Sequence, residues 1–386
     1  MKVTTLIALV FTCIVACSSV GISDASNSSL QVETPLSELK PLYLADPFIL
    51  TIQDCYYAYG TNSSDGIEVY MSKDLVRWTG PCGRCEQGLA LHKDNSTAID
   101  RFWAPEVYRK GDKYIMVFSG SERARIAEAD SPLGPFVEKA VYTPDQSSID
   151  DHIFVDEDGT PYLYWVRFGL GKGNEIRVAR LSDDWFSIVS EQVECIHAQE
   201  DWELRLGKVT EGPFVLKHDG LYYLTYSAND FRSQDYSVGY AVSSSPLGPW
   251  VRYEGNPILR RPGKYIGSGH HAFFKDHDGN LKIVFHVHNS ADRVEKRKML
   301  IAPVRFVKES KSEAAVLVVD TENLYVPMKQ DCPHCRLGFR NGDMAVGHRG
   351  AALPFGEATH TAPHWRISAS WLWLWLNLLE TVEKNE

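Results

Sequence analysis

Apolar and polar residues alternate in short runs along most of this chain, the period of half-buried strands rather than of helices. Helical periodicity of any length is absent. Two stretches nearly repeat: Ala129-Asp130-Ser131-Pro132-Leu133-Gly134-Pro135-Phe136 and Ser243-Ser244-Ser245-Pro246-Leu247-Gly248-Pro249-Trp250. Each follows an alternating segment, and residues 67–72, 176–181 and 299–306 occupy the same place in the cycle. Upstream of each, a polar residue opens a short apolar run, a turn follows, and an aromatic-rich run comes next. The five copies cover residues 46–59, 106–118, 150–165, 211–226 and 270–285. Asp158-Gly159, Asp219-Gly220 and Asp278-Gly279 supply hairpin signals between them. Five units of roughly 45 to 60 residues, each with about four strands, predict an all-β fold, a five-bladed β-propeller over residues 38–326. One blade cannot bury both faces alone, whereas blades around an axis cover one another. A β-sandwich is the competing all-β reading, but the same motif order recurs throughout.

A propeller brings the opening residue of each inner strand to the axis. Those openers read Asp46, Glu106, Asp150, Glu211 and His270. Any one acid there could be a turn residue. Asp46, Asp150 and Glu211 converging on one mouth are another matter, because crowded carboxylates are electrostatically costly and usually mark function. Cleaving a glycosidic bond needs one carboxyl to protonate the leaving oxygen and one carboxylate to activate water or attack the sugar. A third acid raises the proton donor's pKa by like-charge repulsion.

Residues from about 40 to 308 resemble family 43 glycoside hydrolases. The resemblance rests on Ala45-Asp46-Pro47-Phe48, Phe102-Trp103-Ala104-Pro105-Glu106, Ile149-Asp150 with Asp156-Glu157-Asp158-Gly159, Glu211-Gly212-Pro213 and Gly267-Ser268-Gly269-His270, in order and at blade spacing. It implies an inverting hydrolase of plant-type polysaccharide or its oligosaccharides, either an exo-acting α-L-arabinofuranosidase or a β-xylosidase. It makes Asp46 the general base, Glu211 the general acid and Asp150 the modulator of the acid's pKa. It gives Trp103 the wall of the first subsite, Arg297 the substrate hydroxyls, and His270 a structural calcium or sodium ion. No metal or cofactor is required for the chemistry. Asp151 stands where the family often has proline, so strand alternation must choose between Asp150 and Asp151, and it favours Asp150. A β-galactofuranosidase or galactanase on the same scaffold is an alternative, as is a propeller that only binds glycans. A retaining fructan hydrolase would open on Asn-Asp-Pro, and Ala45 stands in place of that Asn.

Composition narrows the partners. The net charge of −10 comes without a Lys/Arg block of five, which argues against nucleic acid and anionic membrane surfaces. Ten Trp, 18 Tyr and 16 Phe suit both a β core and sugar stacking. A carbohydrate substrate and a monomer are expected. Residues 1–17 read as a lipoprotein-type signal peptide, with an apolar run at 6–16 that ends Ile14-Val15-Ala16-Cys17. Cys17 would then anchor an exported periplasmic or cell-surface lipoprotein, the only membrane contact expected. Residues 18–37 follow as a polar tether. Cys82 and Cys85 could form a small bridge in an oxidising compartment. Residues 327–386, with Cys332, Cys335 and a Trp/Leu run at 371–376, read as a poorly ordered C-terminal extension.

Overall fold

The computed structural model describes residues 34–169, 171–308 and 314–331. The leader with Cys17, the tether up to residue 33, Cys332, Cys335 and the Trp/Leu run lie outside the described residues. Among the described residues the strands form five sheets, one of seven strands and four of four. From an inner strand of each sheet the chain steps outward by antiparallel pairing; in the first sheet the short edge strand Lys40–Pro41 precedes that inner strand. The inner strands are Ala45–Ile52, Trp103–Lys110, Ser148–Val155, Thr210–His218 and Gly269–Lys275. Each lies beside the next in chain order, and the fifth lies beside the first. This is an all-β propeller. Helix is limited, among the described residues, to single 3-10 turns such as Asp201–Glu203.

The repeats have a structural purpose. Tyr59 and Tyr164 hold the same rung of the second strand, opposite Phe48 and His152. Each is fully buried and sends its hydroxyl 2.5 Å to a carbonyl of the next sheet, Tyr59 to Pro132 and Tyr164 to Pro246. The two Ser-Pro-Leu-Gly-Pro loops are therefore the acceptors that tie the first sheet to the second and the third to the fourth. Burying a tyrosine ring is favourable only if its O–H finds a partner, and the loop supplies one. Of the three Asp-Gly turns, only Asp219-Gly220 is a two-residue hairpin, with φ of 49° and 76°. Around Asp158 and Asp278 the loop is wider, closed by Gly159 N–H to Asp156 and Gly279 N–H to Asp276, each at 2.9 Å.

Residues 314–326 supply the outer strand of the fifth sheet, Val316–Val319, as their apolar run suggests. The first sheet, however, continues past residue 326. Met328–Gln330 runs parallel to Arg77–Thr79 and antiparallel to Lys40–Pro41, so the late strand stitches the start of the fold to its end. Leu42 N–H bonds Pro327 O at 2.8 Å and Met328 N–H bonds Val76 O at 2.7 Å. Three residues of pairing are too short to show periodicity, which is why the boundary was expected earlier. Cys85 keeps a free thiol 3.5 Å from the Ala90 carbonyl, so no Cys82–Cys85 bridge forms.

Backbone hydrogen bonds contribute about 0.5–1.5 kcal/mol each. A chain ended after residue 326 should therefore melt a few degrees below one ended after residue 331. Thermal unfolding of the two truncations checks this.

Candidate active site

Every inner strand begins with the same irregularity. Pairing with the second strand skips two residues, between Ala45 and Phe48, Trp103 and Glu106, Ile149 and His152, Glu211 and Phe214, and Gly269 and Ala272. The first residue of each bulge has a positive φ: 48° at Asp46, 44° at Ala104, 60° at Asp150, 54° at Gly212 and 44° at His270. The second is proline in three cases, Pro47, Pro105 and Pro213, as suits a position without a ladder bond. A bulge re-aims a side chain, and here it turns Asp46, Asp150 and His270 to a common cavity.

A bulged N–H has lost its ladder partner and needs another acceptor. The preceding sheet provides it from one rung of its second strand. Ala104 N–H bonds Thr61 Oγ1 at 2.9 Å, Asp150 N–H bonds Ser119 Oγ at 2.9 Å, and His270 N–H bonds Ser227 Oγ at 2.8 Å. Asp46 N–H closes the ring on His286 Nδ1 at 3.2 Å. The third sheet has Val166 at that rung, which cannot accept, and Gly212 N–H instead bonds Asp150 Oδ2 at 3.0 Å. One missing hydroxyl thus fixes the carboxyl of Asp150 beside the strand that carries Glu211.

The register corrects the expected alignment of openers. Asp46, Asp150 and His270 are equivalent, but Ala104 and Gly212 fill that place in the second and fourth sheets. Glu211 stands one residue earlier, at the rung of Trp103, and Glu106 stands two later, at the rung of Phe48 and His152. A bulge breaks two-residue periodicity, so strand alternation could not see this. Glu106 binds the hydroxyl of Tyr108 and, at 2.8 Å, His152 Nδ1. It ties the second sheet to the third and stays out of the larger cavity. Alternation likewise cannot separate Asp150 from Asp151. Asp150 lines the larger cavity, while Asp151, almost fully buried, accepts the Arg125 N–H at 3.2 Å through Oδ2.

The cavity holds about 440 Å³, within the roughly 300–1,000 Å³ typical of small-ligand pockets. Asp46, Asp150, Glu211, Trp103, His270 and Arg297 all line it, so the structure gathers every site residue expected from the sequence. His270 Nδ1 sits 3.4 Å from Asp46 Oδ1 and 4.0 Å from Asp150 Oδ2, which places both carboxyls around one imidazole. Arg297 donates from NH1 to Asp46 Oδ1 at 2.8 Å, and its guanidinium lies 4.8 Å from the Phe231 ring centre. Its first task is thus to hold Asp46. Among the described residues every hydrogen-bond or ion-pair partner of the Asp46 carboxyl meets Oδ1, and none meets Oδ2. Tyr236 donates to Glu211 Oε1 at 2.8 Å, and among the described residues no hydrogen bond meets Oε2.

The electrostatics separate the acids. Burial alone would raise Asp46, but Arg297, then His270 and His286, hold it well below the usual carboxylate range. Burial pushes Asp150 up, and the Asp46 charge pushes it further. Burial also raises Glu211, with Asp150 as the next cause. One carboxylate stays ionised while the other two retain a proton toward neutrality. The His286 ring, lowered to about 3 first by burial and then by Arg297, stays neutral. Tyr236, Phe231 and His286 were not expected as site residues. Only His286 left a trace in the sequence, within a cluster of histidines that pattern alone does not assign. Among the described residues no three His, Cys, Asp or Glu side chains are grouped as ligands for one ion. The protein side chains around His270 do not by themselves form the oxygen-rich cage that calcium takes.

The family described as glycosyl hydrolases family 43 matches residues 39–310. An arabinoxylan arabinofuranohydrolase of Paenibacillus polymyxa is 30% identical over 61% of this chain, a stretch that is 40% of its own length. A β-D-galactofuranosidase of Aspergillus niger is 26% identical over 64% of this chain and 74% of its own. The crystal structure of an endo-1,4-β-xylanase from Bacteroides thetaiotaomicron superposes with a TM-score of 0.69 at 38% identity, covering 76% of this chain and 99% of that one.

Val166→Thr would offer Gly212 N–H the acceptor found in the neighbouring sheets. The hydrogen bond that favours charged Asp150 would then weaken, and its pKa should rise by on the order of one unit, with Val166→Ala as the control that leaves it in place. Carboxyl-carbon NMR titration of the two variants measures the difference.

Proposed function

The chain belongs to glycosyl hydrolases family 43, and on that premise we propose that it hydrolyses plant-type polysaccharide or its oligosaccharides with inversion, as an exo-acting α-L-arabinofuranosidase or β-xylosidase. The observation that carries this reading is the convergence of Asp46, Asp150 and Glu211 on a single cavity, with Arg297 bound to the Asp46 carboxyl alone of the three. We read each of the five sheets as one blade of a five-bladed propeller whose axis meets that cavity.

In this reading Asp46 Oδ2 takes a proton from water as the water oxygen attacks the anomeric carbon. The bond to the leaving oxygen breaks on the opposite side, and that oxygen takes the proton of Glu211. Attack opposite the leaving group inverts the anomeric centre. Burial first, and then the neighbouring Asp150 carboxyl, keep Glu211 protonated, and Gly212 N–H holds Asp150 Oδ2. Arg297 orients Asp46 and offers its remaining N–H groups to sugar hydroxyls, while Trp103 walls the first subsite. A calcium or sodium ion at His270 would draw its other ligands from water, and no step above passes through it. The Aspergillus relative brings galactofuranosides within the range of substrates. The chain acts as an exported monomer anchored through Cys17.

Hydrolysis of aryl arabinofuranosides, xylosides, galactofuranosides and galactosides identifies the sugar, and turnover of none of them sinks the proposal. Asp46→Ala and Glu211→Ala should each lose at least about a thousandfold in kcat/KM, the combined scale of acid–base help and positioning.

The pH profile should be a broad bell. The base works ionised and its pKa is lowered, so activity should persist below about pH 4, the ordinary Asp value, and fall only as Asp46 takes a proton. The acid works protonated and its pKa is raised, so activity should persist above about pH 4.3, the ordinary Glu value, and fall as that proton leaves. A kcat/KM profile over pH 2.5–9.5 checks both limbs.

A further inference from the structure

Tyr236 is fully buried, and its hydroxyl donates to Glu211 Oε1 at 2.8 Å. Its ring stacks on His286 with centroids 5.6 Å apart and planes 16° from parallel. His286 in turn accepts the Asp46 N–H and lies 3.4 Å from Arg297 NH1. The acid and the base are therefore each bonded to one member of a stacked aromatic pair. Among the described residues Tyr236 is the only partner of the Glu211 carboxyl, and it occupies Oε1.

The ring also explains a motif. A Cβ on Gly269 would stand 2.3 Å from the Tyr236 ring, far inside contact distance. The Gly-Ser-Gly-His sequence before the fifth inner strand thus makes room for a side chain carried by the fourth sheet. Gly267, with φ of 62°, performs the same service for the His288 ring, which a Cβ would meet at 2.1 Å.

We propose that Tyr236 is a positioning residue for the acid step, holding Oε1 as an acceptor so that the transferable proton of Glu211 sits on Oε2, toward the leaving oxygen. This rests on the reading of Glu211 as the general acid. A phenol that is buried and faces a carboxyl cannot ionise easily, and burial followed by the neighbouring Glu211 carboxyl keeps it a donor. Without that donor the carboxyl can rotate, and the proton can reside on either oxygen. Misplacement on the ångström scale costs on the order of a hundredfold.

The test uses Tyr236→Phe in the full chain, with aryl glycosides of whichever sugar the wild type cleaves and leaving groups ranging from 2,4-dinitrophenol to phenol. Proton donation matters most for the poorest leaving group. The expected result is a fall in kcat of about 10- to 100-fold on the phenyl glycoside. On the dinitrophenyl glycoside the loss should stay within about threefold, with KM little changed on both. Gly269→Ala, which displaces the ring without removing the hydroxyl, should show the same graded loss and carries the test if Tyr236→Phe does not fold. Tyr223→Phe deletes a buried hydroxyl of the same sheet that bonds Ala315 O at 2.9 Å, and it should leave all rates unchanged. An equal loss on every leaving group, or none on any, overturns the assignment of Tyr236. Inactivity of the wild type on every glycoside strikes the proposed function instead, so the two failures are distinguishable.

Discussion

The structure depends on finding an acceptor for five bulged amides. Each inner strand breaks its ladder at the same rung and exposes one N–H at the centre of the fold, where water is scarce. An unpaired buried donor costs about 1–3 kcal/mol, so five left unmet would consume much of the roughly 5–15 kcal/mol by which a domain is stable. The fold answers with one side chain per junction: Thr61, Ser119, Ser227 and His286, and Asp150 where Val166 leaves the rung apolar. Every junction between neighbouring sheets thus contains a bond that is also part of the site. The irregularity that interrupts the sheet is what points Asp46, Asp150 and His270 into the cavity.

The second organising element is Arg297. A buried carboxylate with two other acids nearby would normally take up a proton, and burial does act on Asp46 in that direction. The guanidinium at 2.8 Å reverses the outcome for Asp46 alone. Its charge then works at one remove. Burial raises Asp150 and Glu211 first; the charge kept on Asp46 raises Asp150 further, and Asp150 is the next cause at Glu211. Two chemically similar carboxyls acquire opposite protonation states through their order of contact with one cation. The site needs no difference in residue type to obtain an acid and a base.

The all-β propeller architecture, the order of the repeats and the three acids were legible in the sequence because they depend on local alternation and on motifs repeated at a regular spacing. Asp46, Asp150 and Glu211 each carry a neighbour pattern that survives reading by eye. The bulges were not legible. A one-dimensional alignment set Glu106 and Glu211 level with Asp46, whereas pairing shows them displaced by two residues and by one in opposite directions. The choice of Asp150 over Asp151 agrees with the cavity, but for a different reason than alternation. Tyr236 left no trace, since a tyrosine before an apolar strand looks like any other core aromatic.

What the chain determines by itself is its repetition: five alternating units, hairpin turns between them, and acids at the start of four. Those features arise from interactions within a few residues, so order along the chain records them. What only the tertiary structure decided is which oxygen meets which donor. Tyr236 and Glu211 lie 25 residues apart, Arg297 and Asp46 251 apart. Such contacts are made by closing the ring of sheets, and the protonation state of each acid follows from charges and burial that exist only once that ring is closed.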